Sequence, residues 1–318
     1  MARLEVPVAR LPTDTWLSLP VAVVNGRRPG PRLWLTAAVH GDELNGVEII
    51  RTVLDRLNPR ELSGAVLTVP IVNVFGFVSE SRYLPDRRDL NRSFPGSSRG
   101  SLAGRLANLV MTEVVAQCSY GIDLHTGSDH RYNLPQIRAD LEDEETLRFA
   151  RAFAPPVLIH ARTRDGSLRE AATAAGCHVL LFEAGEANRF DAEAIEVGVD
   201  GVLGVLDALG MWDHTDERAG HVRMELERTT WVRARRSGIM RLEVKSGDMV
   251  KRSDELGVIA DAFGQSSQKI RAPVSGVVIG YTRHPLVSQG DALVHIGEQP
   301  NGAIRPRRVA AAPFSRQR

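Results

Sequence analysis

Residues 38–46 of the 318-residue chain read AVHGDELNG, between an apolar run, LWLTA, and a run with helical spacing, VEIIRTVLDRL. His40 and Glu43 stand three apart at this strand-to-helix junction, a spacing that suits two ligands of one metal ion. A polar turn with nothing bound has the same composition. A catalytic Zn²⁺ commonly takes three protein ligands, His₂Glu among the sets, and keeps a fourth position open. His125 in GIDLHTG (121–127) is the candidate third ligand, at the carboxyl end of another apolar run. Ligands of open α/β sheets gather at such strand ends. Asp123, two residues earlier, faces the same way on a strand and can orient the imidazole from behind. The plain alternative for His125 is an ordinary loop-edge histidine.

Two further stretches have chemistry to offer. In FEAGEANRF (182–190), Glu183 ends an apolar run. A carboxylate there is costly unless it has a partner or a task. It can serve as a general base, or simply as a charge near the start of the next helix, which Glu186 could supply equally well. The segment SESRYLPDRRDLNRSFPGSSRG (79–100) is a long polar loop that carries Arg82, Arg87, Arg88, Asn91 and Arg92. Guanidinium groups clamp carboxylates bidentately and stabilise oxyanions, although most basic loops are only solvated surface.

These residues need a frame. Strand-like runs at 32–39, 64–73, 120–125, 155–161 and 178–184 alternate with helix-like runs at 44–57, 101–117, 167–175 and 191–209. The first helix has apolar Leu44, Val47, Ile50 and Leu54 on one face, and Ser167 is a suitable N-cap for the third. Continuous apolar strands between helices predict an α/β fold with a mostly parallel sheet covered on both faces. We assign residues 1–218 to this catalytic region. After GMWDHTDERAG (210–220) the helical periodicity stops, and residues 219–300 read as a small all-β domain. VRARRSGIMRLEVKSGDMV (232–250) is echoed by IRAPVSGVVIGYTRHPLVSQGDALV (270–294), with Ser237-Gly238 matching Ser275-Gly276 and Gly247-Asp248 matching Gly290-Asp291. The second copy then carries about five extra residues around TRHPL, and a barrel or sandwich built by duplication is expected. The segment resembles the biotinyl/lipoyl carrier fold. Gln265 stands where that fold carries its modified Lys, and Lys269 lies too close to the next strand to replace it, so no attached group is expected. The tail, 301–318, is Arg- and Pro-rich and is expected to be disordered.

The bulk numbers exclude several classes. Net charge is +1, so no global field points to nucleic acid or an acidic membrane. No stretch approaches the ~20 apolar residues of a spanning helix. The N-terminal MARLEVPVARLPTDTW lacks the apolar core of a signal peptide. The two isolated cysteines, Cys118 and Cys177, fit a reducing compartment, so a cytoplasmic protein is expected. The sequence leaves a homo-oligomer open.

Five motifs in order are His40-Gly41-Asp42-Glu43, Arg82-Tyr83, Asp89-Leu90-Asn91-Arg92, Asp123-Leu124-His125 and Glu183-Ala184-Gly185-Glu186. Together they resemble the succinylglutamate desuccinylases and aspartoacylases, relatives of zinc carboxypeptidases, over about residues 30–210. The resemblance implies one Zn²⁺ per chain on His40, Glu43 and His125, with Glu183 as general base. It implies that Arg82 polarises the acyl carbonyl, and that Asn91 and Arg92 hold a substrate carboxylate. For a second carboxylate the matching candidate is Arg169, with Arg162 and Arg164 behind it. A tyrosine from the C-terminal domain closes the aspartoacylase site, and Tyr281 is its candidate here. The implied activity is hydrolysis of the amide bond of a small N-acyl amino acid. A peptide-cleaving zinc carboxypeptidase and a non-catalytic scaffold built on the β domain are the rival readings.

Overall fold

The computed structural model describes residues 1–11, 13–213 and 224–298. The expected domain boundary at 218/219 and the tail at 301–318 fall outside them. The first part of the chain runs β1 (Ala2–Arg10), β2 (Trp16–Asn25), β3 (Arg28–Ala37), α1 (Asn45–Arg56), β4 (Ser63–Val69), α2 (Val74–Val78), α3 (Leu102–Glu113), β5 (Tyr120–Gly127), β6 (Arg131–Ala139), α4 (Glu144–Phe153), β7 (Val157–His160), α5 (Leu168–Ala174), β8 (His178–Glu186) and α6 (Ala192–Ala208). The second part is all β: β9 (Met224–Leu226), β10 (Thr229–Arg233), β11 (Gly238–Leu242), β12 (Met249–Val250), β13 (Glu255–Ala260), β14 (Ser267–Arg271), β15 (Gly276–Thr282), β16 (Leu286–Val287) and β17 (Ala292–Glu298). No described helix is long and apolar enough to cross a membrane.

The centre of the large sheet, β4-β3-β5-β8, is parallel, as its apolar runs predict. Its flanks are antiparallel: β1 and β2 on one side, β6 on the other. Alternation along β3 divides the core between two faces. Leu33, Leu35 and Ala37 pack with Ile49 and Ile50 of α1, Phe149 of α4 and Val202 of α6, whereas Trp34 packs with Leu106 and Val110 of α3 and Leu168 of α5. Each fully buried Leu, Ile, Val or Phe among them contributes about 1.5–3 kcal/mol over leaving it exposed. On α1 the buried stripe is Ile49, Ile50 and Val53, while Val47 and Leu54 from the expected apolar face lie at its border. Ser167 caps α5 as expected, its Oγ accepting the Glu170 N–H at 3.1 Å.

The C-terminal strands form two matching arrays, β10-β17-β15-β12 and β14-β13-β11-β16. Exchanging each of β10–β13 with the strand four later turns the first array into the second, so the duplication is real. Its register differs from the one expected. Asp254 and Asp291 are the equivalent residues, each accepting the N–H three residues before it, at 2.7 Å from Lys251 and 2.7 Å from Ser288. Gly247-Asp248 is an extra turn that happens to share the Gly-Asp pair, and no five-residue insertion is needed. Gln265 sits in the β13–β14 turn, where Asp261 gathers the N–H groups of Phe263, Gln265 and Ser266. Lys269 is paired with Glu255 at 2.6 Å.

The two parts share hydrogen bonds. β15 extends the large sheet by pairing antiparallel with β6, Gly280 opposite Asn133, and β9 pairs with β7.

Candidate active site

His40 and Glu43 lie in the turn between β3 and α1. Gly41 is needed here for space rather than for its torsion angles: a Cβ on it would sit 2.0 Å from the Gly76 carbonyl carbon. That close approach stitches the turn to the loop after α2, with the Gly41 N–H donating to Ser81 O at 3.1 Å. Arg82 is thereby brought to the turn that carries His40 and Glu43. His125 arrives on β5, whose Asp123 is opposite Thr36 of β3 and whose His125 is opposite Glu183 of β8.

The geometry is convergent. His40 Nδ1 lies 2.7 Å from Glu43 Oε1, and His125 Nδ1 lies 2.7 Å from Glu43 Oε2. The three residues are at most 4% exposed. Behind them, His40 Nε2 meets Asp89 Oδ1 at 3.2 Å and His125 Nε2 meets Asp123 Oδ2 at 2.8 Å. Asp123 is itself fixed by the Thr36 hydroxyl at 2.7 Å. Each imidazole thus turns one nitrogen to a supporting carboxylate and the other to a shared centre, the arrangement of metal-ligating histidines. Burial alone would lower the His40 and His125 pKa values. The charge of Glu43 at His40, and those of Asp123 and Glu43 at His125, outweigh it and raise both. Burial likewise works against ionised Glu43, and the two histidines hold it far below the usual carboxylate range.

With both imidazoles charged, the Nδ1 protons facing Glu43 lie at the centre of the cluster. A divalent cation replacing both leaves the charge unchanged, so the donor set fits a metal by chemistry as well as by position. The linkage has a definite sign. Raised histidine pKa values stabilise the metal-free fold fully below the ordinary 6.5, and that stabilisation fades as pH rises through the raised values. The depressed carboxylate contributes above its ordinary 4.5 and fades as pH falls. Metal uptake must release the protons. The gap in melting temperature between zinc-saturated and metal-free protein is accordingly expected to widen from pH 6 to pH 8, as followed by calorimetry. A gap that shrinks over that range contradicts this site.

Eight of the residues singled out in the sequence line one cavity of about 550 Å³, His40, Glu43 and His125 with Arg82, Asn91, Arg92, Arg169 and Glu183, and Arg162 and Arg164 join them. Arg82 donates to Asp89 Oδ2 at 2.9 Å and lies 3.5 Å from Glu43 Oε1. Asn91 spends its side-chain carbonyl on the Leu168 N–H at 2.9 Å, which joins the long loop to α5. Arg92 bonds the carbonyl of Asn91. Arg169 donates to Ala161 O at 3.1 Å and Arg162 O at 2.6 Å; burial, then the nearby charge of Arg138, lowers its pKa to about 10. Glu183 accepts the Asn133 amide N–H at 2.8 Å.

Several site residues were not read from the sequence. Asp89, whose role no local pattern reveals, ties His40 to Arg82. Arg138 lines the cavity and has no carboxylate partner among the described residues. The β part contributes Trp231, Arg233 and Asp291 to the wall, whereas Tyr281, the expected aromatic, is not in the lining and packs on Tyr132. Trp231 lies flat on the buried His295, ring centroids 4.3 Å apart, and burial pushes the His295 pKa down to about 3. Only the neighbourhood of an arginine and an indole, set by strand pairing, distinguishes His295 from an ordinary core histidine.

Comparison with known proteins agrees with this geometry. Residues 29–209 match the succinylglutamate desuccinylase/aspartoacylase catalytic domain. An N-alpha-acetyl-L-2,4-diaminobutyric acid deacetylase from Halomonas elongata is 25% identical over 311 residues, spanning 93% of this chain and 90% of that protein. A crystal structure of a succinylglutamate desuccinylase/aspartoacylase from Rhodobacter sphaeroides superposes with a TM-score of 0.82 at 27% identity, covering 93% of this chain and 94% of the other. The product-bound ectoine utilization protein EutE (DoeB) from Ruegeria pomeroyi shares the fold, with a TM-score of 0.84 at 23% identity over 93% of this chain and 94% of that one. With the motifs in order, His40, Glu43 and His125 brought together and more than half the chain matched, this protein belongs to the succinylglutamate desuccinylase/aspartoacylase family.

Proposed function

We propose that this chain hydrolyses the amide bond of a small N-acyl amino acid, using one Zn²⁺ held by His40, Glu43 and His125. The observation that carries the reading is that a His₂Glu centre, a separate carboxylate at Glu183 and an arginine-rich wall face a single cavity. Zinc bound there supplies Lewis acidity and brings the pKa of its water from 15.7 towards ~7. Glu183 takes a proton from the attacking water and delivers it to the leaving nitrogen. The acyl carbon gains an oxygen, the C–N bond breaks, and a free acid and an amine leave. Arg82, held by Asp89, lies beside the centre and stabilises the oxyanion. Asn91 and Arg92 hold the substrate carboxylate, and Arg169 and Arg138 offer charge for a second anionic group.

Eight arginines and four carboxylates line the cavity, so it favours anionic substrates. The β part, which we assign to residues 219–300, narrows the cavity with Trp231 and Arg233 and restricts it to small molecules. A deacylation panel on the zinc-loaded protein tests this. N-Succinyl and N-acetyl derivatives of acidic amino acids are expected to turn over at least about tenfold faster in kcat/KM than N-α-acetyl-2,4-diaminobutyrate, whose side-chain amine meets the arginines. Release of C-terminal residues from peptides with every N-acyl amino acid inert would identify a carboxypeptidase instead.

A further inference from the structure

The C-terminal β part touches the proposed proton path at one point. Asn133, 6% exposed, lies on β6 between Gly185 of β8 and Gly280 of β15. Its Nδ2 makes the one hydrogen bond found for the Glu183 carboxylate among the described residues, at 2.8 Å. Its Oδ1 faces Gly280, and a Cβ on Gly280 would stand 2.7 Å from that oxygen and 3.0 Å from Tyr132 O. The reverse amide orientation would set an oxygen against the carboxylate, so the observed one is the only one that donates to Glu183. Both strands are irregular here, β6 between Asn133 and Gln136 and β15 between Val278 and Gly280, and the irregularities meet at this contact.

We infer that Asn133 is a positioning residue for Glu183, and that the C-terminal part fixes its amide through the missing side chain of Gly280. The inference rests on Glu183 as the general base. A carboxylate anchored by a single donor takes its orientation from that donor. Any side chain at position 280 has two neighbours to push against, and the Asn133 amide yields more readily than the Tyr132 backbone. Its rotation carries Nδ2 away from Glu183. Gly280 is thus coupled to Glu183 through one amide, with no contact between Gly280 and the substrate required.

The test uses the full-length zinc-loaded protein and its best substrate from the panel. Asn133→Ala and Gly280→Ala are each expected to lower kcat about 10–100-fold, the scale for a catalytic group misplaced by an ångström, with KM within about twofold. The double variant is expected to be no slower than Asn133→Ala alone, because both changes remove the same contact. Asn133→Asp keeps the shape but loses the donor, and is expected to be no better than Asn133→Ala. Near-wild-type kcat in Asn133→Asp, or multiplied losses in the double variant, would overturn the inference. The two Asn133 variants need no extra room, so the test stands even if Gly280→Ala does not fold. Glu183→Gln separates the two claims: an active Glu183→Gln removes the base assignment itself, whereas an inactive Glu183→Gln beside a wild-type Asn133→Ala removes only the positioning.

Discussion

Glu183→Gln is expected to retain one zinc per chain and to lose roughly 10²–10⁴-fold in kcat, the range for removing a general acid–base group. The substitution keeps the side chain's length and volume. Its amide oxygen can still accept from Asn133, which now donates to Glu183 at 2.8 Å. The proposed metal ligands, His40, Glu43 and His125, are untouched. What is lost is basicity, so metal content by elemental analysis and turnover should separate cleanly. Unchanged turnover would take Glu183 out of the proton path, and lost metal would make it part of the metal centre.

The opposite pattern is expected of Glu43→Ala, in which metal content and activity fall together. Glu43 is the hub of the cluster: two imidazoles, the Thr126 N–H at 3.2 Å and Arg82 all face its carboxylate. Removing one partner of a buried charged set costs about 3–5 kcal/mol. The lower end is expected here, because the histidines keep Asp89 and Asp123 as partners once Glu43 is gone. Chemical denaturation of metal-free wild type and variant gives that difference directly. Zinc titration of the variant should show no stoichiometric tight site. A variant that binds zinc like the wild type would exclude Glu43 as a ligand.

Much of the site was legible because its chemistry sits at strand ends, where short motifs and apolar runs adjoin. His125 and Glu183 could be placed from their own stretches, and strand pairing sets them side by side. Strand β6 was missed for a physical reason. Pro135 argues against a central strand, and the irregularity between Asn133 and Gln136 breaks the two-residue alternation. Regular alternation would send Asn133 and Arg138 to opposite faces, yet both line the cavity. The β1–β2 hairpin was also passed over, since it lies outside the strand–helix alternation that organised the rest. In the C-terminal repeat, Gly-Asp pairs invited the wrong match; only the pairing of β11 with β16 and β12 with β15 reveals the true one. Trp231 is brought to the cavity, and His295 beneath it, by long-range pairing that no local pattern encodes.

The shared backbone between β6 and β15, and between β7 and β9, also bears on how the chain can be divided. A truncation after α6 would strip β15 from β6 and β9 from β7, baring rows of amide and carbonyl groups at the margin of a largely buried sheet. Such raw margins recruit strands from other molecules. The C-terminal part therefore covers those margins as well as walling the cavity, and the chain is expected to tolerate insertions at its hairpin tips far better than separation at the apparent joint.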